Sequence, residues 1–214
     1  METIHLQQAL PLVFADREAT TSDVWYQDLT FKKGEFYLIE AASGTGKSSL
    51  CSYIYGYRND YQGFIHFDES NICSLSVPEW VELRRYSLSI LFQELRVFSE
   101  LTTWENIQLK NQLTHFKRED EILDLLDLLG LSDKVGEKVG KLSLGQQQRV
   151  AFIRCLCQPY DFIFLDEPIS HLDDANSRLM GKILTKEAAR QEAGVIVTSI
   201  GKHIELEYTR VLQL

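Results

Sequence analysis

Residues 41–49 combine the residue types that hold a nucleoside triphosphate. They read Ala-Ala-Ser-Gly-Thr-Gly-Lys-Ser-Ser and lie between an apolar run, 36–39, and a stretch that can form a helix, 48–55. In such a strand–loop–helix unit, the backbone N–H groups of the loop and the positive end of the helix dipole surround the phosphates. Lys47 is expected to reach the β- and γ-phosphates, and the Ser48 hydroxyl is expected to bind Mg²⁺. The predicted phosphate-binding residues are Ser43, Gly44, Thr45, Gly46, Lys47, Ser48 and Ser49.

Ala41 stands where the usual pattern of such loops, Gly-x-x-x-x-Gly-Lys-Ser/Thr, begins with glycine. Alanine is tolerated at this position if its backbone φ angle stays below zero. The sequence therefore predicts a phosphate loop with a negative φ at Ala41. The alternative is a Gly/Ser turn that joins a strand to a helix and holds no ligand.

A pair of acidic residues, Asp166 and Glu167, directly follows the apolar run 162–165. A carboxylate at the C-terminal end of a central strand lies beside the phosphate loop in an open α/β sheet. Asp166 is then placed to hold Mg²⁺ opposite Ser48, directly or through water. Glu167 is placed to polarise an attacking water as a general base. The alternative is that the two acidic residues only begin a surface loop. The presence of the predicted phosphate loop at 41–49 favours the functional interpretation.

The composition is that of a folded, acidic protein. The 214 residues are 44% hydrophobic and 25% charged, and the formal net charge is −9. Broad nucleic-acid binding usually needs a basic face, so no nucleic-acid partner is expected. No apolar run approaches the ~20 residues that span a bilayer, and the first residues lack the basic and apolar regions of a signal peptide. The four cysteines form no Cys-x-x-Cys pair and are expected to be buried free thiols.

Hydrophobic periodicity predicts that strands and helices alternate along the chain. Strands are expected over residues 3–14, 24–31, 36–40, 63–67, 88–92, 162–165, 195–197 and 208–214. Helices are expected over 48–55, 77–86, 145–158 and 172–192. Residues 102–138 follow a helical pattern, with Gly130 as a predicted helix end. This stretch indicates a helical insertion in an α/β core.

Three further segments resemble the motifs of ATP-binding cassette (ABC) ATPases. Residues 142–149, Leu-Ser-Leu-Gly-Gln-Gln-Gln-Arg, resemble the signature motif, whose usual form is Leu-Ser-Gly-Gly-Gln. Residues 92–94, Phe-Gln-Glu, resemble the Q-loop, and 170–173, Ser-His-Leu-Asp, resemble the D-loop. The resemblance covers nearly the whole chain. It implies a P-loop NTPase α/β fold with a mostly parallel central sheet, an N-terminal antiparallel β-subdomain and an inserted helical subdomain. Residues 1–214 are then a single ABC ATPase domain, with the helical subdomain at about 93–157.

The resemblance also implies roles for residues outside the phosphate loop. The family works as a head-to-tail pair of cassettes with two ATP molecules in the interface. Ser143 and Gly145 would contact the γ-phosphate bound by the opposite subunit, and Gln146 belongs to the same nucleotide-binding motif. The signature begins a predicted helix, whose N–H groups and dipole favour an anion. Gln93 would touch Mg²⁺ and the attacking water, and Asp173 would bridge the two sites.

The predicted cofactors are ATP and Mg²⁺. The residues assigned to catalysis are Glu167, Gln93, Lys47 and Ser199, and those assigned to the metal are Ser48, Gln93 and Asp166. The family also stacks adenine on an aromatic residue near the N-terminus. Phe14 is the candidate for this contact, and a role as a core aromatic residue is equally compatible with the sequence.

Three positions depart from the family pattern, and together they predict slow hydrolysis. The family usually has a γ-phosphate-binding histidine where Ser199 stands, and His203 is a poor substitute by position. Losing one such hydrogen bond costs about 1–3 kcal/mol, which is roughly five- to 150-fold in rate if it is expressed in the transition state. Leu144 replaces a glycine of the signature, and Ala41 replaces the first glycine of the phosphate loop.

Residues 83–85, 92–95 and 101–107 resemble the compact ATPase subunits of bacterial exporter-like transporters, including those for lipoprotein release. The expected partners are a second cassette, as a homodimer formed on ATP binding, and a membrane permease. The expected location is cytoplasmic, on the inner face of the membrane. A groove near residues 91–107 would receive the permease, with apolar contacts from Phe92, Leu95, Val97, Phe98 and Trp104, although each of these can instead pack inside the protein. The alternatives are a non-transport ABC ATPase and a degenerate module that binds ATP and hydrolyses it slowly.

Overall fold

The computed structural model describes residues 1–15 and 22–214, which form two sheets and six α-helices. The strands are β1 Thr3–Pro11, β2 Asp28–Lys32, β3 Phe36–Glu40, β4 Tyr61–Phe67, β5 Ser70–Asn71, β6 Leu88–Leu91, β7 Phe162–Asp166, β8 Gly194–Ser199 and β9 Arg210–Gln213. The helices are α1 Lys47–Ile54, α2 Val77–Tyr86, α3 Thr103–Thr114, α4 Glu119–Leu128, α5 Leu144–Leu156 and α6 Asp174–Gln191. Single 3₁₀ turns cover Leu12–Phe14, Ile72–Ser74, Ser132–Lys134 and Val139–Lys141.

The first sheet is antiparallel and has the strand order β2–β1–β4–β5. Ile4 and Leu6 alternate into the core and are fully buried, as the period of two in a strand requires. The register of β1 against β4 shifts after Gln7, which marks a bulge. Gly63 lies opposite the bulge with a φ of 82°, and a Cβ there would stand 2.3 Å from the Gln8 carbonyl oxygen. Only glycine fits at this position.

The second sheet is parallel throughout and has the strand order β6–β7–β8–β3–β9. Every residue of β7 and β8 is buried, as expected for central strands that are covered on both faces. Because all five strands run in one direction, their carboxyl ends meet at a single edge. That edge carries Glu40, Asp166 and Ser199, so the parallel sheet brings together residues that are far apart in the sequence.

Three helices, α3, α4 and α5, lie between β6 and β7 in the chain. Capping boxes begin α3 at Thr102 and α5 at Ser143, and each satisfies backbone N–H groups of a first turn. Ile122 of α4 and Phe152 of α5 are fully buried in one hydrophobic cluster. Gly130, with a φ of 64°, follows the end of α4, which confirms the predicted helix end.

Two of the predicted strands were too long by three residues or more at one end. Leu12–Phe14 form a 3₁₀ turn instead of continuing β1, and Leu12 is 53% exposed. Trp25 precedes β2, which begins only at Asp28. The reason is local, because the Ser22 hydroxyl accepts hydrogen bonds from the N–H groups of Val24 and Trp25 and holds the chain in a turn. Strand formers in this segment therefore do not make a strand.

The cysteines follow their prediction only in part. Cys51, Cys155 and Cys157 are buried and free, whereas Cys73 is free and exposed. Burial raises the pKa of the Cys155 thiol to about 12, so this group stays protonated and packs as a small apolar side chain. Across residues 1–15 and 22–214, no helix is both long and apolar enough to cross a bilayer.

Candidate functional site

The predicted phosphate loop connects the end of β3 at Glu40 to the start of α1 at Lys47. Gly44 and Gly46 adopt left-handed backbone conformations, with φ of 81° and 104°, which glycine reaches without a steric penalty. Ala41 does not have a positive φ, and its N–H donates to the Ser199 carbonyl at 3.1 Å. The condition under which alanine is tolerated at this position is therefore met.

Lys47 is almost completely buried at the floor of this loop, with 5% of its side chain exposed. Its ammonium donates to the Ala42 carbonyl at 3.1 Å and lies 3.7 Å from Oε1 of Glu167. Burial of a cation is costly unless it is hydrogen-bonded and faces an opposite charge. The contacts of Lys47 with the Ala42 carbonyl and Glu167 offset the free-energy cost of its burial. They also keep its positive charge inside the curve of the loop, where an anion would lie.

The remaining loop residues differ in exposure. Ser43 and Gly44 are exposed, and Thr45 donates its hydroxyl proton to the Ala42 carbonyl at 2.9 Å. The Ser49 hydroxyl accepts a hydrogen bond of 3.0 Å from the guanidinium of Arg58. Thr45 and Ser49 thus fix the loop and the first turn of α1 from within.

The two predicted acids stand at the end of β7. Asp166 is 4% exposed and accepts a hydrogen bond of 2.5 Å from the Thr198 hydroxyl of β8. Glu167 follows it in a left-handed conformation, with a φ of 50°, and its N–H donates to the Thr198 carbonyl at 3.1 Å. This conformation is unfavourable for a residue with a Cβ and is kept only where the surroundings hold it. It turns the Glu167 side chain toward Lys47.

Oxygen ligands for a cation come together beside the loop. The Ser48 hydroxyl and Oε1 of Gln93 are 3.5 Å apart, although they are 45 positions apart in the chain. With the Asp166 carboxylate at the neighbouring strand end, the ligand set contains a hydroxyl, an amide oxygen and a carboxylate. Hard oxygen ligands of this kind suit Mg²⁺. The residues present therefore fit the predicted metal.

Ser199 lies at the end of β8, and only 2% of it is exposed. Its hydroxyl donates to the Lys202 carbonyl at 2.5 Å, so its proton is directed into the following turn. His203 lies nearby with Nδ1 at 3.8 Å from Oε1 of Glu40. In this arrangement, the Ser199 hydroxyl proton is not directed toward the phosphate loop.

The signature segment begins α5. Ser143 is the N-cap, and its hydroxyl and backbone N–H both bond to Gln146 rather than to the phosphate loop. Leu144 is 56% exposed, so its side chain does not disturb the core. A Cβ on Gly145 would stand 2.8 Å from the His171 carbonyl oxygen, which explains why this position needs glycine. Ser143 and Leu144 are both exposed, so the first turn of α5 is accessible to an anion.

Gln148, which the sequence analysis did not single out, joins the signature helix to the acids. It is 1% exposed and donates to the Glu167 carbonyl at 3.3 Å and to the Ser170 hydroxyl at 3.4 Å. Its oxygen accepts the N–H of His171 at 3.1 Å. Asp173, two residues further on, caps α6 by accepting the Asn176 N–H. The signature, the acids and the D-loop are thus one hydrogen-bonded unit.

Trp25 is a second residue that sequence reasoning missed. It is 4% exposed, its indole N–H donates to the Thr45 carbonyl at 3.0 Å, and its ring lies 3.1 Å from where a Cβ on Gly46 would be. Phe14 Cε2 lies at the same distance from that point. The two aromatic residues therefore cover one side of the phosphate loop, and the adenine contact of Phe14 stays a prediction. In the sequence, a tryptophan just before a predicted strand does not indicate that its ring contacts the phosphate loop.

Trp25→Phe should weaken binding of Mg-ATP about three- to tenfold, because the loop loses one hydrogen bond but keeps its aromatic cover. Calorimetric titration of the purified chain measures the dissociation constant. Trp80→Phe is the matched control, since that ring packs against Gly56 and not against the loop, and its affinity should stay within about twofold. An unchanged affinity in Trp25→Phe would mean that packing alone holds the loop.

The fold and this site define a P-loop nucleotide-binding protein of the ATP-binding cassette class. Residues 26–170 match the family described as "ABC transporter". A Bacillus subtilis protein named as the uncharacterised ABC transporter ATP-binding protein YclH is 31% identical over 84% of this chain and 80% of its own length. A Paracoccus denitrificans macrolide export ATP-binding/permease protein, MacB 1/2, is 34% identical over 80% of this chain. The chain belongs to the ABC transporter family.

Solved structures agree with this assignment. The dimeric structure of MJ0796, a bacterial ABC transporter cassette, superposes with a TM-score of 0.76 at 27% identity and covers 91% of this chain and 87% of that one. A dimeric post-hydrolysis state of the same cassette, bound to ADP and phosphate, also has a TM-score of 0.76, at 25% identity. The chain spans only about a quarter of the macrolide export protein, 26% of its length.

Proposed function

We propose that this chain is an ATP-hydrolysing subunit that powers a separate membrane permease through nucleotide-driven dimerisation. The proposal assigns residues 1–214 to one cassette domain, with a helical subdomain at about 93–157. The observation that carries the proposal is the convergence of Lys47, Ser48, Gln93 and Glu167 at the phosphate loop, from three separate parts of the chain, with Asp166 directly before Glu167. Those residue types in that arrangement match the needs of phosphoryl transfer to water.

In the proposed reaction, Lys47 binds the β- and γ-phosphate oxygens, and the loop N–H groups hold the phosphates in line with a water molecule. Glu167 accepts a proton as the water oxygen bonds to the γ-phosphorus. The bond from that phosphorus to the β–γ bridging oxygen breaks, which leaves ADP and inorganic phosphate. Ser48, Gln93 and Asp166 would hold Mg²⁺, which supplies charge neutralisation at the phosphates when bound.

Dimerisation would complete each site with a second copy of the chain. Ser143, Gly145 and Gln146 would then approach the γ-phosphate bound by the other copy, and Asp173 would lie between the two sites. The accessible first turn of α5 and the exposed Leu144 support this role. The dimeric state of the MJ0796 cassette supports it as well.

The partner permease would contact the segment that follows β6, from the inner face of the membrane. Of the five apolar residues predicted for this contact, Phe98 is the most exposed, at 56%. Leu95 is buried, Val97 and Trp104 pack against the same cluster as α5, and Phe92 packs against the other core cluster. Phe98 therefore remains the strongest candidate of the five for a contact with the permease.

The direct test is ATP hydrolysis by the purified chain, measured together with its elution volume in size exclusion with and without Mg-ATP. Hydrolysis that disappears in Glu167→Gln, together with an ATP-dependent dimer, supports the proposal. Absence of nucleotide binding in the wild-type chain would overturn it.

A second function, a cassette that binds ATP and hydrolyses it slowly, is favoured by one observation. The Ser199 hydroxyl donates to the Lys202 carbonyl, so this proton is not free for a γ-phosphate oxygen. The two functions use the same site and differ in the rate of turnover, so a substitution of Ser199 distinguishes them.

Ser199→His should raise turnover roughly five- to 150-fold, if the missing donor limits hydrolysis. The measurement is the steady-state rate of phosphate release at saturating Mg-ATP, with the melting temperature recorded to verify folding. Ser199→Ala is the matched control and should turn over like the wild type, because the serine proton is directed elsewhere. If Ser199→His is no faster than either, Ser199 does not limit the rate.

A further inference from the structure

A groove of cationic and aromatic side chains lies beside the segment that follows β6. Its cations come from four different elements: Arg84 from α2, Arg96 from the loop after β6, Lys110 from α3 and Arg154 from α5. We call this surface the arginine groove, and its members are Tyr57, Arg84, Phe92, Arg96, Lys110 and Arg154. Arg84, Lys110 and Arg154 are each half-buried, whereas Arg96 is exposed.

The guanidinium groups of Arg84 and Arg96 both lie against the ring of Tyr57. The Arg84 guanidinium carbon lies 5.2 Å from the centroid of the Tyr57 ring, and that of Arg96 lies 5.1 Å from the same centroid. Arg96 also lies 3.8 Å from the centroid of Phe92. Tyr57 itself is 48% exposed. Cation–π contacts fix the positions of such groups without neutralising their charge.

Hydrogen bonds in the groove also leave the charges uncompensated. Arg84 donates to the carbonyls of residues 55 and 56, and Arg154 donates to those of 95 and 96. Lys110 donates to the side-chain oxygen of Gln158. All of these acceptors are neutral, and within the described parts of the chain no carboxylate forms an ion pair with Arg84, Lys110 or Arg154.

Among the four cations of the groove, Arg96 does form an ion pair in the described part of the chain, but this pair is weak. Arg96 Nε is 3.9 Å from Glu94, and both side chains are largely exposed, so this pair contributes little. The pKa of Lys110 is lowered to about 8, mainly by burial and also by the neighbouring positive charges of Arg154 and Arg84. Three half-buried cations therefore repel one another in a protein whose net charge is −9. Such an arrangement destabilises the isolated chain.

We propose that the arginine groove binds an acidic segment of the partner permease, with carboxylates at Lys110 and Arg154 and an apolar side chain on Tyr57. The inference rests on the proposed function for the existence of that partner, and it adds the chemistry by which the partner is recognised. Carboxylates are the complementary groups, because they would pair with donors that now have only neutral acceptors. The exposed Phe98, which also follows β6, extends the same surface with apolar area.

An anionic membrane surface is the less favoured occupant. Lipid headgroups meet flat, exposed basic patches, whereas the cations here are recessed between helices and set among aromatic rings. The acidic balance of the whole chain also opposes attraction to an anionic bilayer. Anionic vesicles therefore serve as a separate probe for this occupant.

The probe is a synthetic 16-residue amphipathic helix with two glutamates spaced i, i+4 around a phenylalanine, labelled with fluorescein. A second peptide carries glutamine in place of both glutamates. Anisotropy at low salt measures binding to the wild-type chain, and ¹⁵N spectra of the arginine Nε–H groups locate it. The glutamate peptide should bind about tenfold more tightly than the glutamine peptide, and added salt should weaken it.

Three variants test the location, and a fourth serves as a control. Arg96→Gln and Lys110→Gln should each weaken the glutamate peptide about five- to tenfold, and Arg96→Lys should retain most of the affinity. Arg118→Gln, at an exposed arginine that pairs with Asp120 at the start of α4, should bind like the wild type. The melting temperature of Lys110→Gln serves as the check on folding. It should be unchanged or higher, because the substitution removes a half-buried cation.

ATP hydrolysis on the same samples separates the two proposals. If both peptides bind with equal affinity, or if only Arg118→Gln loses affinity, the inference is overturned. The proposed function would still stand in that case, provided that the chain hydrolyses ATP. Binding to vesicles with 30% anionic lipid, without binding to the glutamate peptide, would overturn it in favour of a membrane surface. A chain that binds the peptide at the groove but neither binds nor hydrolyses ATP would instead contradict the proposed function.

Discussion

Glu167→Gln lowers the rate of ATP hydrolysis by at least about a hundredfold, since general-base catalysis typically contributes 10²–10⁴-fold. The amide has the shape of the carboxylate but cannot accept the proton of the attacking water. Nucleotide binding should persist, because Lys47 keeps its bond to the Ala42 carbonyl at 3.1 Å and the loop is unchanged. Phosphate release at saturating Mg-ATP measures the rate.

The same variant should accumulate as a dimer with Mg-ATP in size exclusion, because bound ATP is no longer consumed. Glu94→Gln is the matched control, since Glu94 is 77% exposed beside Gln93 and makes only a 3.9 Å contact with Arg96. Its turnover should stay within about twofold of the wild type. If Glu167→Gln retained more than about a third of the wild-type rate, another group would be the general base.

Lys117→Met destabilises the chain by about 3–5 kcal/mol, because it leaves a buried carboxylate without its partner. The Lys117 ammonium lies 2.7 Å from Oε2 of Glu187 in α6, and their side chains are 1% and 11% exposed. This pair links the segment between α3 and α4 to the core. Chemical denaturation, followed by far-ultraviolet circular dichroism, gives the free energy of unfolding.

An exposed pair provides the control. Lys141 lies 2.8 Å from Glu137, at side-chain exposures of 70% and 40%, and Lys141→Met should change stability by less than about 1 kcal/mol. The double change Lys117→Met with Glu187→Leu should recover much of the loss, since it removes both buried charges. A loss below about 1 kcal/mol for Lys117→Met alone would show that Glu187 finds water or another donor.

Local chemistry in the sequence was enough for the phosphate loop and the acids after β7. Gly44 and Gly46 provide positive φ angles, and apolar runs bounded by turns mark the buried strands of the parallel sheet. It was not enough for the segment before β2. There Ser22 bonds the backbone into a turn, and Trp25 packs on the phosphate loop, a contact between positions that no periodicity connects.

By itself, the sequence determined the residue types of the site, the class of fold and the order of its elements, because these depend on local spacing and on burial patterns within single segments. Only the tertiary structure decided which side chains meet. It turned the Ser199 proton toward Lys202, joined Glu167 to the signature helix through Gln148, and brought half-buried cations of α2, α3 and α5 together. Such contacts depend on how separate segments pack against one another. The free energy of that packing cannot be inferred from the residues of any single segment.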